Sequence, residues 1–318
     1  TVVNRIKKEG MLHYDFLILD EIHNYASKKR VCVFTRISRK TTLGLTATIE
    51  RQDGEHRLIQ RHCPIIVNVS LKTALWQGWV NPFVIKNIYV PLTQKEEEEY
   101  TKYDDMFSKN FPHFYPEFRG TKENPLQRMF LCLKDINFRK RLARKKGFTE
   151  EQMRGIAINC NRGMQGRKQT LYNSVAKMSV AKILGRKLKF RTGVMTFSET
   201  IEVAMKMEKI LGGKCYHSKE KKRKENLEKF LNGKIKYLHT ATALDEGFDI
   251  PNLNAIIIIA GKSTSRQMKQ RVGRVIRLAQ DKGISIIYNL CLVNTQDEKW
   301  SLKRFDNIPQ ECIEHIHW

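Results

Sequence analysis

The 318-residue sequence has no apolar run longer than the six residues of "AIIIIA" at 255–260. A membrane-crossing helix needs roughly 20 such residues, so no span is expected, and nothing at the start reads as a signal peptide. Its seven cysteines stand singly at 32, 63, 132, 160, 215, 291 and 312, without a CxxC pair or a close-spaced framework. They read as reduced, mostly buried thiols, not bridges or metal ligands, and a cytoplasmic location is expected. Acidic residues are scarce relative to basic ones, 33 against 58, and the resulting +25 is spread along the whole length. A polyanionic partner follows from that excess. Internal repeats and low-complexity segments are lacking as well.

Hydrophobic residues make up 41% of the chain, enough for a globular fold of about two domains. "YDFLILD" (14–20) and "TTLGLTA" (41–47) are short apolar runs ending in polar or small residues, with helical room between them. This is a βαβ rhythm, and parallel strands buried on both faces read this way. Ligands of such sheets bind beyond the carboxyl ends of the strands, where Asp20 and Thr46 stand. "FVIKNIYVPLT" (83–93) reads as a strand whose final threonine caps the acidic helix "QKEEEEYTKYDDMF". Residues 111–185 hold loop signals and then basic helical stretches, including "RKRLARKK" (139–146). From "TGVMTFS" (192–198) onward, strand and helix alternate through "GKCYHS", "IKYLHTATA", "NAIIIIAG" and "ISIIYNLCL". Five strands in that rhythm predict a second parallel sheet. The expected boundaries are 1–80, a linking strand and basic helical insert over 81–185, and a complete α/β domain over 186–318.

Four stretches carry candidate chemistry, and each has a plain structural alternative. In "DEIH", Asp20 at a strand end can hold Mg²⁺ and Glu21 can polarise an attacking water, or the pair can simply cap the next helix. In "GLTATIE", Thr46 and Thr48 can bond the strand-end acids, or mark an ordinary strand exit. In "ATALDEGFDIP" (241–251), Gly247 permits close backbone approach, Asp249 can accept from a ribose hydroxyl, and Thr240 and Thr242 can donate to a phosphodiester; a turn is the alternative. In "QRVGRVIR" (270–277), Arg271, Arg274 and Arg277 share one helix face, which is either solvated or set against a phosphate.

Taken together, in this order and at these spacings, the four stretches resemble the superfamily 2 helicases. Asp20–His23 matches the DExH box of motif II, Thr46-Ala47-Thr48 motif III, and "MTFSE" motif IV. "TATALDEGFDIP" is similar to motif V and "QRVGRVIR" to motif VI, and the resemblance covers residues 11 to about 295. Within the superfamily the DEIH and LDEGFDIP spellings are nearest to XPB-like and phage UvsW-like DNA helicases. The resemblance implies RecA-like domains, the first one partial, that close on ATP and Mg²⁺ and step along nucleic acid, DNA in preference to RNA. It further implies that Asp20 coordinates Mg²⁺, Glu21 activates water, and His23 and Thr46 couple to Gln270. Gly247 and Asp249 would touch the nucleotide, Arg274 and Arg277 the γ-phosphate, and Ser198, Thr240 and Thr242 the phosphate backbone.

A phosphate loop of the form GxxxxGK[ST], the Walker A segment, is missing from these residues. The expectation is that an amino-terminal helicase half or segment supplies it, that ATP turnover requires that partner, and that residues 1–80 are not stable alone. Their "TVVNRIKK" reads as a strand and early helix. The competing expectation is a non-hydrolysing nucleic-acid-binding module or regulatory subunit built on "RKRLARKK" and "KEKKRK" (219–224).

Overall fold

The computed structural model describes residues 2–318 except 28, 50–53, 117–122, 189–192, 242–249, 251–252, 262–271, 274, 278–282 and 307. Its contacts divide the chain into two compact units, Thr1–Trp79 and Val80–Trp318.

The first unit is a pair of parallel strands, β1 (Leu12–Asp20) and β2 (Ile37–Leu45), in register from Leu12 against Ile37 to Asp20 against Leu45. "VNRIKK" is helical throughout, as part of Val2–Glu9, with Val3 and Ile6 one turn apart and packed on the core. Strand alternation turns Leu17 and Leu19 inward, where they meet Ile6, Ile22, Val33, Phe34, Ile37 and Ile59. Gly44 in β2 lies under the DEIH turn; a Cβ there would run into the Ile22 side chain, so glycine lets that turn seat against β2. The opposite face, with Tyr14, Phe16, Ile18 and Leu45, is exposed.

The second unit is built on seven parallel strands: β3 (Phe83–Val90), β4 (Val194–Ser198), β5 (Lys214–Tyr216), β6 (Tyr237–Ala241), β7 (Ala255–Ile258), β8 (Ser285–Leu292) and β9 (Ile313–His317). Their order across the sheet is β5-β6-β4-β7-β8-β3-β9. Six were legible as strands in the sequence, five of them as members of one sheet. Phe83–Val90, expected as a linking strand, is hydrogen-bonded inside the sheet between β8 and β9. β4, β6 and β7 are buried along their whole length except Tyr237 at the start of β6, consistent with cover on both faces. From β4 the chain runs out to β5 and β6, then crosses to β7 and β8, so the switch point falls between β4 and β7.

Between β3 and β4 stands an all-helical arm: Gln94–Asn110, Pro125–Lys134, Ile136–Lys146 and Glu150–Tyr172, around Phe114, Met129, Cys132, Leu142, Met153 and Met164. Thr93 and Glu96 form a capping box at its start, as the threonine and early acids implied. The basic stretch breaks in two at Asp135, whose carboxylate caps the amides of Asn137 and Phe138. Gly163 brings the first and last helices of the arm together, since a Cβ there would lie 2.6 Å from the Phe107 amide nitrogen. Arg167 bonds Asp104 at 2.6 Å and lies over the Phe107 ring. At the neck, Glu96 also accepts from the Val175 amide at 2.6 Å, joining the point where the arm leaves the sheet to the helix Val175–Lys187 that leads back to it. Burial pushes the Glu96 carboxyl up, but hydrogen bonds from Thr93, Ser174 and Val175 outweigh it and leave the carboxyl below its ordinary value.

A second buried polar cluster lies past the carboxyl end of β8. Asp297 accepts from Lys177 at 2.9 Å and from Arg304 at 2.7 Å, and Arg304 also reaches the Asn289 side chain and the Gly261 carbonyl. All three charged side chains are almost fully buried.

Candidate functional site

In the first unit the DEIH turn leaves β1 sharply. Glu21 has φ 48° and ψ 52°, a left-handed backbone that a non-glycine residue adopts at a cost of order 1–3 kcal/mol. Its amide donates to the Asp20 carboxylate at 2.9 Å. The turn then swings His23 into the interior, 2% exposed, where Nδ1 lies 2.9 Å from the Thr46 hydroxyl and 3.1 Å from the Glu21 carboxylate. The carboxylate can only accept, so this contact requires the tautomer with its proton on Nδ1. The Thr46 hydroxyl in turn lies 2.9 Å from the Thr48 carbonyl and receives the Thr48 amide at 3.2 Å. Glu21, His23, Thr46 and Thr48, read from two separate stretches of sequence, therefore form one hydrogen-bonded group at the carboxyl ends of adjacent strands. A change at Thr46 is felt at the Glu21 carboxylate through at most one intermediate side chain.

Asp20 is exposed and, by strand alternation, shares the outer face with Phe16 and Ile18. Among the described residues no cluster of three or more metal-ligating side chains occurs. A single strand-end carboxylate is nevertheless the donor set Mg²⁺ uses when phosphate oxygens and water supply the rest of its shell.

In the second unit the candidate stretches follow the carboxyl ends of the central strands. Gln270, Arg274, Thr242, Gly247 and Asp249 lie outside the described residues. Residues 242–249 are flanked by buried Ala241 at the end of β6 and buried Ile250. In motif VI, Val272, Val275 and Ile276 are buried, and Arg277 is exposed. The Ile276 carbonyl accepts the Asn81 amide at 2.6 Å, and the Val275 carbonyl accepts the Ser285 hydroxyl at 3.0 Å. Ser198 and Thr240 are buried, and their hydroxyls donate inward: Ser198 to the Thr200 and Thr240 carbonyls, Thr240 to that of Thr196. The structure thus uses both hydroxyls to tie strand ends together and does not present them at the surface.

The basic segments are exposed. On Ile136–Lys146 the buried face is Arg139, Leu142 and Ala143, with Arg139 held by Glu150 and the Cys132 carbonyl. The outward face carries Lys140, Arg141, Arg144 and Lys145, and none of these is paired with a carboxylate among the described residues. Lys219, Lys221, Lys222, Arg223 and Lys224 form a second exposed group near the β5 edge. The buried cluster at Asp297 and the neck carboxylate Glu96 were not singled out in the sequence. The Thr93-x-x-Glu96 spacing could have shown the latter.

The seven-stranded parallel sheet, with motif-bearing segments beyond the ends of β6 and β7, defines a RecA-like domain. Residues 176–279 match the helicase conserved C-terminal domain. This chain carries a superfamily 2 helicase carboxyl-terminal domain. It is 27% identical over 294 residues to the DNA 3'-5' translocase XPB2 of Sulfurisphaera tokodaii, a match covering 92% of this chain and 62% of that protein. The chain therefore spans about three-fifths of that relative's length. In fold it is similar to the Hef helicase domain of Pyrococcus furiosus (TM-score 0.53, 16% identity, 94% of this chain and 76% of that one). It is also similar to S. cerevisiae Dbp5 bound to RNA and ADP BeF3 (TM-score 0.56, 13% identity, 100% of this chain and 63% of that one). Among the described residues no helix is long and apolar enough to cross a membrane.

Proposed function

We propose that this chain is the motif II to motif VI part of an ATP-dependent DNA translocase or helicase of superfamily 2, of the XPB-like or UvsW-like kind, working in the cytoplasm. The observation that carries the reading is the Glu21–His23–Thr46 group, in which a strained left-handed turn places a carboxylate against a buried histidine. A helix cap would need no such strain, and Glu21 makes no side-chain cap bond to the turn that follows it.

In this reading Asp20 holds Mg²⁺, which when bound offsets phosphate charge. Glu21 orients and deprotonates the attacking water, while His23, through Thr46 and Thr48, reports the state of that carboxylate to motif III and to Gln270. Gly247 and Asp249 face the nucleotide, and Arg274 and Arg277 supply positive charge to the γ-phosphate. Ser198 and Thr240 act through the strand ends they tie, with Thr242 beyond them at the phosphate backbone. Lys140, Arg141, Arg144 and Lys145 add sequence-blind backbone contacts. The phosphate loop is supplied by an amino-terminal helicase partner or segment, and the 318 residues alone turn over ATP negligibly.

The test is DNA-stimulated ATPase of the reconstituted pair with Glu21→Gln and Arg274→Ala. Turnover is expected to fall at least 100-fold in each while DNA affinity is kept. A second reading, a non-hydrolysing DNA-binding module, rests on the +25 charge and the exposed cationic helix face. Indifference of the pair to both substitutions would establish it, and robust ATPase by this chain alone would overturn the need for a partner.

A further inference from the structure

Two arginines act on the buried Cys132 thiol inside the helical arm, and only one of them is neutralised. Arg139 is held by Glu150 and by the Cys132 carbonyl. Arg128, on the helix Pro125–Lys134, is almost as buried at 9% exposure, yet its side chain forms no ion pair or hydrogen bond among the described residues. Its Nε is enclosed without an acceptor. A buried cation gives up hydration that must be replaced, and nothing among the described residues replaces it here.

The outer end of the same side chain shows where a counterion enters. Of its three nitrogens Nε alone is both enclosed and unpartnered, which leaves the terminal fork open to solvent. The Arg128 guanidinium carbon lies 5.9 Å from the centroid of the Phe138 ring, and that of Arg141 lies 5.9 Å from the same ring. Phe138 is half-buried and Arg141 is exposed. An aromatic face orients both cations but supplies no countercharge. Two guanidinium forks gathered at one ring suit a group with several anionic oxygens, because each fork can give two parallel N–H···O bonds. From Arg141 the exposed cations continue along Ile136–Lys146 through Arg144 and Lys145, as an extended polyanion requires and a lone carboxylate does not.

We propose that Arg128 and Arg141, gathered at Phe138, form a site for one backbone phosphate of bound nucleic acid. A phosphate held by a buried fork fixes the position of the arm along the strand, a task that mobile surface lysines do not perform. The inference rests on the nucleic-acid part of the reading above and is independent of ATP turnover.

The test compares the full chain with Arg128→Lys, which keeps the charge and loses the fork. Anisotropy of a labelled duplex at about 100 mM salt should show roughly 10-fold weaker binding, with the slope of log K against log salt unchanged because no charge is removed. Arg128→Met should weaken binding further and make the slope shallower by about 0.9. In the parent chain carrying isotope-labelled arginine, the Arg128 guanidinium signal, assigned by its loss in Arg128→Lys, should move when duplex is added. That measurement needs no substitution in the molecule observed, so it decides the matter if either variant melts lower. Parent-like affinity in Arg128→Lys, or an Arg128 signal that duplex leaves unmoved, would overturn the inference. Inorganic phosphate separates the two sources of this chemistry: a signal moved by millimolar phosphate but not by duplex would assign the site to a free anion and overturn the backbone contact. The combined Lys140→Gln, Arg144→Gln and Lys145→Gln variant separates the site from the wider reading of the arm. If it loses affinity while Arg128→Lys does not, the Arg128 site alone fails; if it binds like the parent while Arg128→Lys is weakened, the helix face alone fails.

Discussion

Replacing Lys140, Arg141, Arg144 and Lys145 with glutamine removes four cations from one helix face without touching its buried side. Glutamine is a good helix former, and the core contacts of Leu142 and Ala143 stay in place. If each cation meets one DNA phosphate, the four contribute about −3.6 to the slope of log K against log salt, at about −0.9 per contact. That share alone weakens binding about 150-fold between 50 and 200 mM salt. Its loss at 100 mM amounts to about three and a half orders of magnitude, measured from the 1 M reference at which counterion release contributes nothing. Anisotropy of a labelled 20-base-pair duplex, titrated at five salt concentrations, reads both quantities. The variant should have a slope shallower by about 3 to 4 and a melting curve like that of the parent. A slope that changes by less than about 1 would refute the assignment of this face to nucleic acid and leave the Lys219–Lys224 group as the main contact.

Three further outcomes test the packing. Asp297→Asn strands Lys177 and Arg304 without their shared carboxylate and should cost about 3–5 kcal/mol, whereas replacing all three with apolar residues of similar volume should cost much less. By circular dichroism the single variant should melt about 6–10 °C lower for a unit of about 240 residues. Gly163→Ala sets a methyl group against the Phe107 backbone and should destabilise the arm by about 1–3 kcal/mol, read as faster amide exchange in Glu150–Tyr172. His239 is buried between the Thr196 hydroxyl and the Gly212 carbonyl, and burial lowers its pKa to about 4 from 6.5. The unfolded chain therefore binds this proton more readily than the folded one. Stability is fully present above about pH 6.5 and falls as pH drops toward 4, by about 2 kcal/mol at pH 5, which urea titration against pH measures. His239→Gln should flatten that part of the profile.

The sheet was legible where burial on both faces left continuous apolar runs, as in "VMTFS", "AIIII" and "SIIYNLCL". β9 was not, because "IEHIH" at an edge alternates and ends among histidines that stack on Tyr89. The DEIH and TAT stretches were legible as neighbours because both end parallel strands, but the left-handed Glu21 was not, since nothing in the local pattern marks a non-glycine residue for that backbone. Ser198 and Thr240 show the opposite case. Their types suit a phosphate contact, yet their orientation depends on the carbonyls of neighbouring strands, which local pattern does not carry. The Lys177–Asp297–Arg304 cluster joins residues 120 positions apart, and each looks like an ordinary surface charge in the sequence.

The helical arm departs from the sheet at Glu96 and returns at Val175, and a single carboxylate holds both points. Whatever is inserted between them adds little strain to the sheet, because the ends of the insertion stay fixed and closure cost grows slowly with length. The arm is thus a cassette: evolution can lengthen it, recharge it or exchange it for another reach while the motor beneath keeps its geometry. An engineer can do the same, cutting after Tyr100 and rejoining just before Leu171, because both side chains pack into the core of the sheet and must stay.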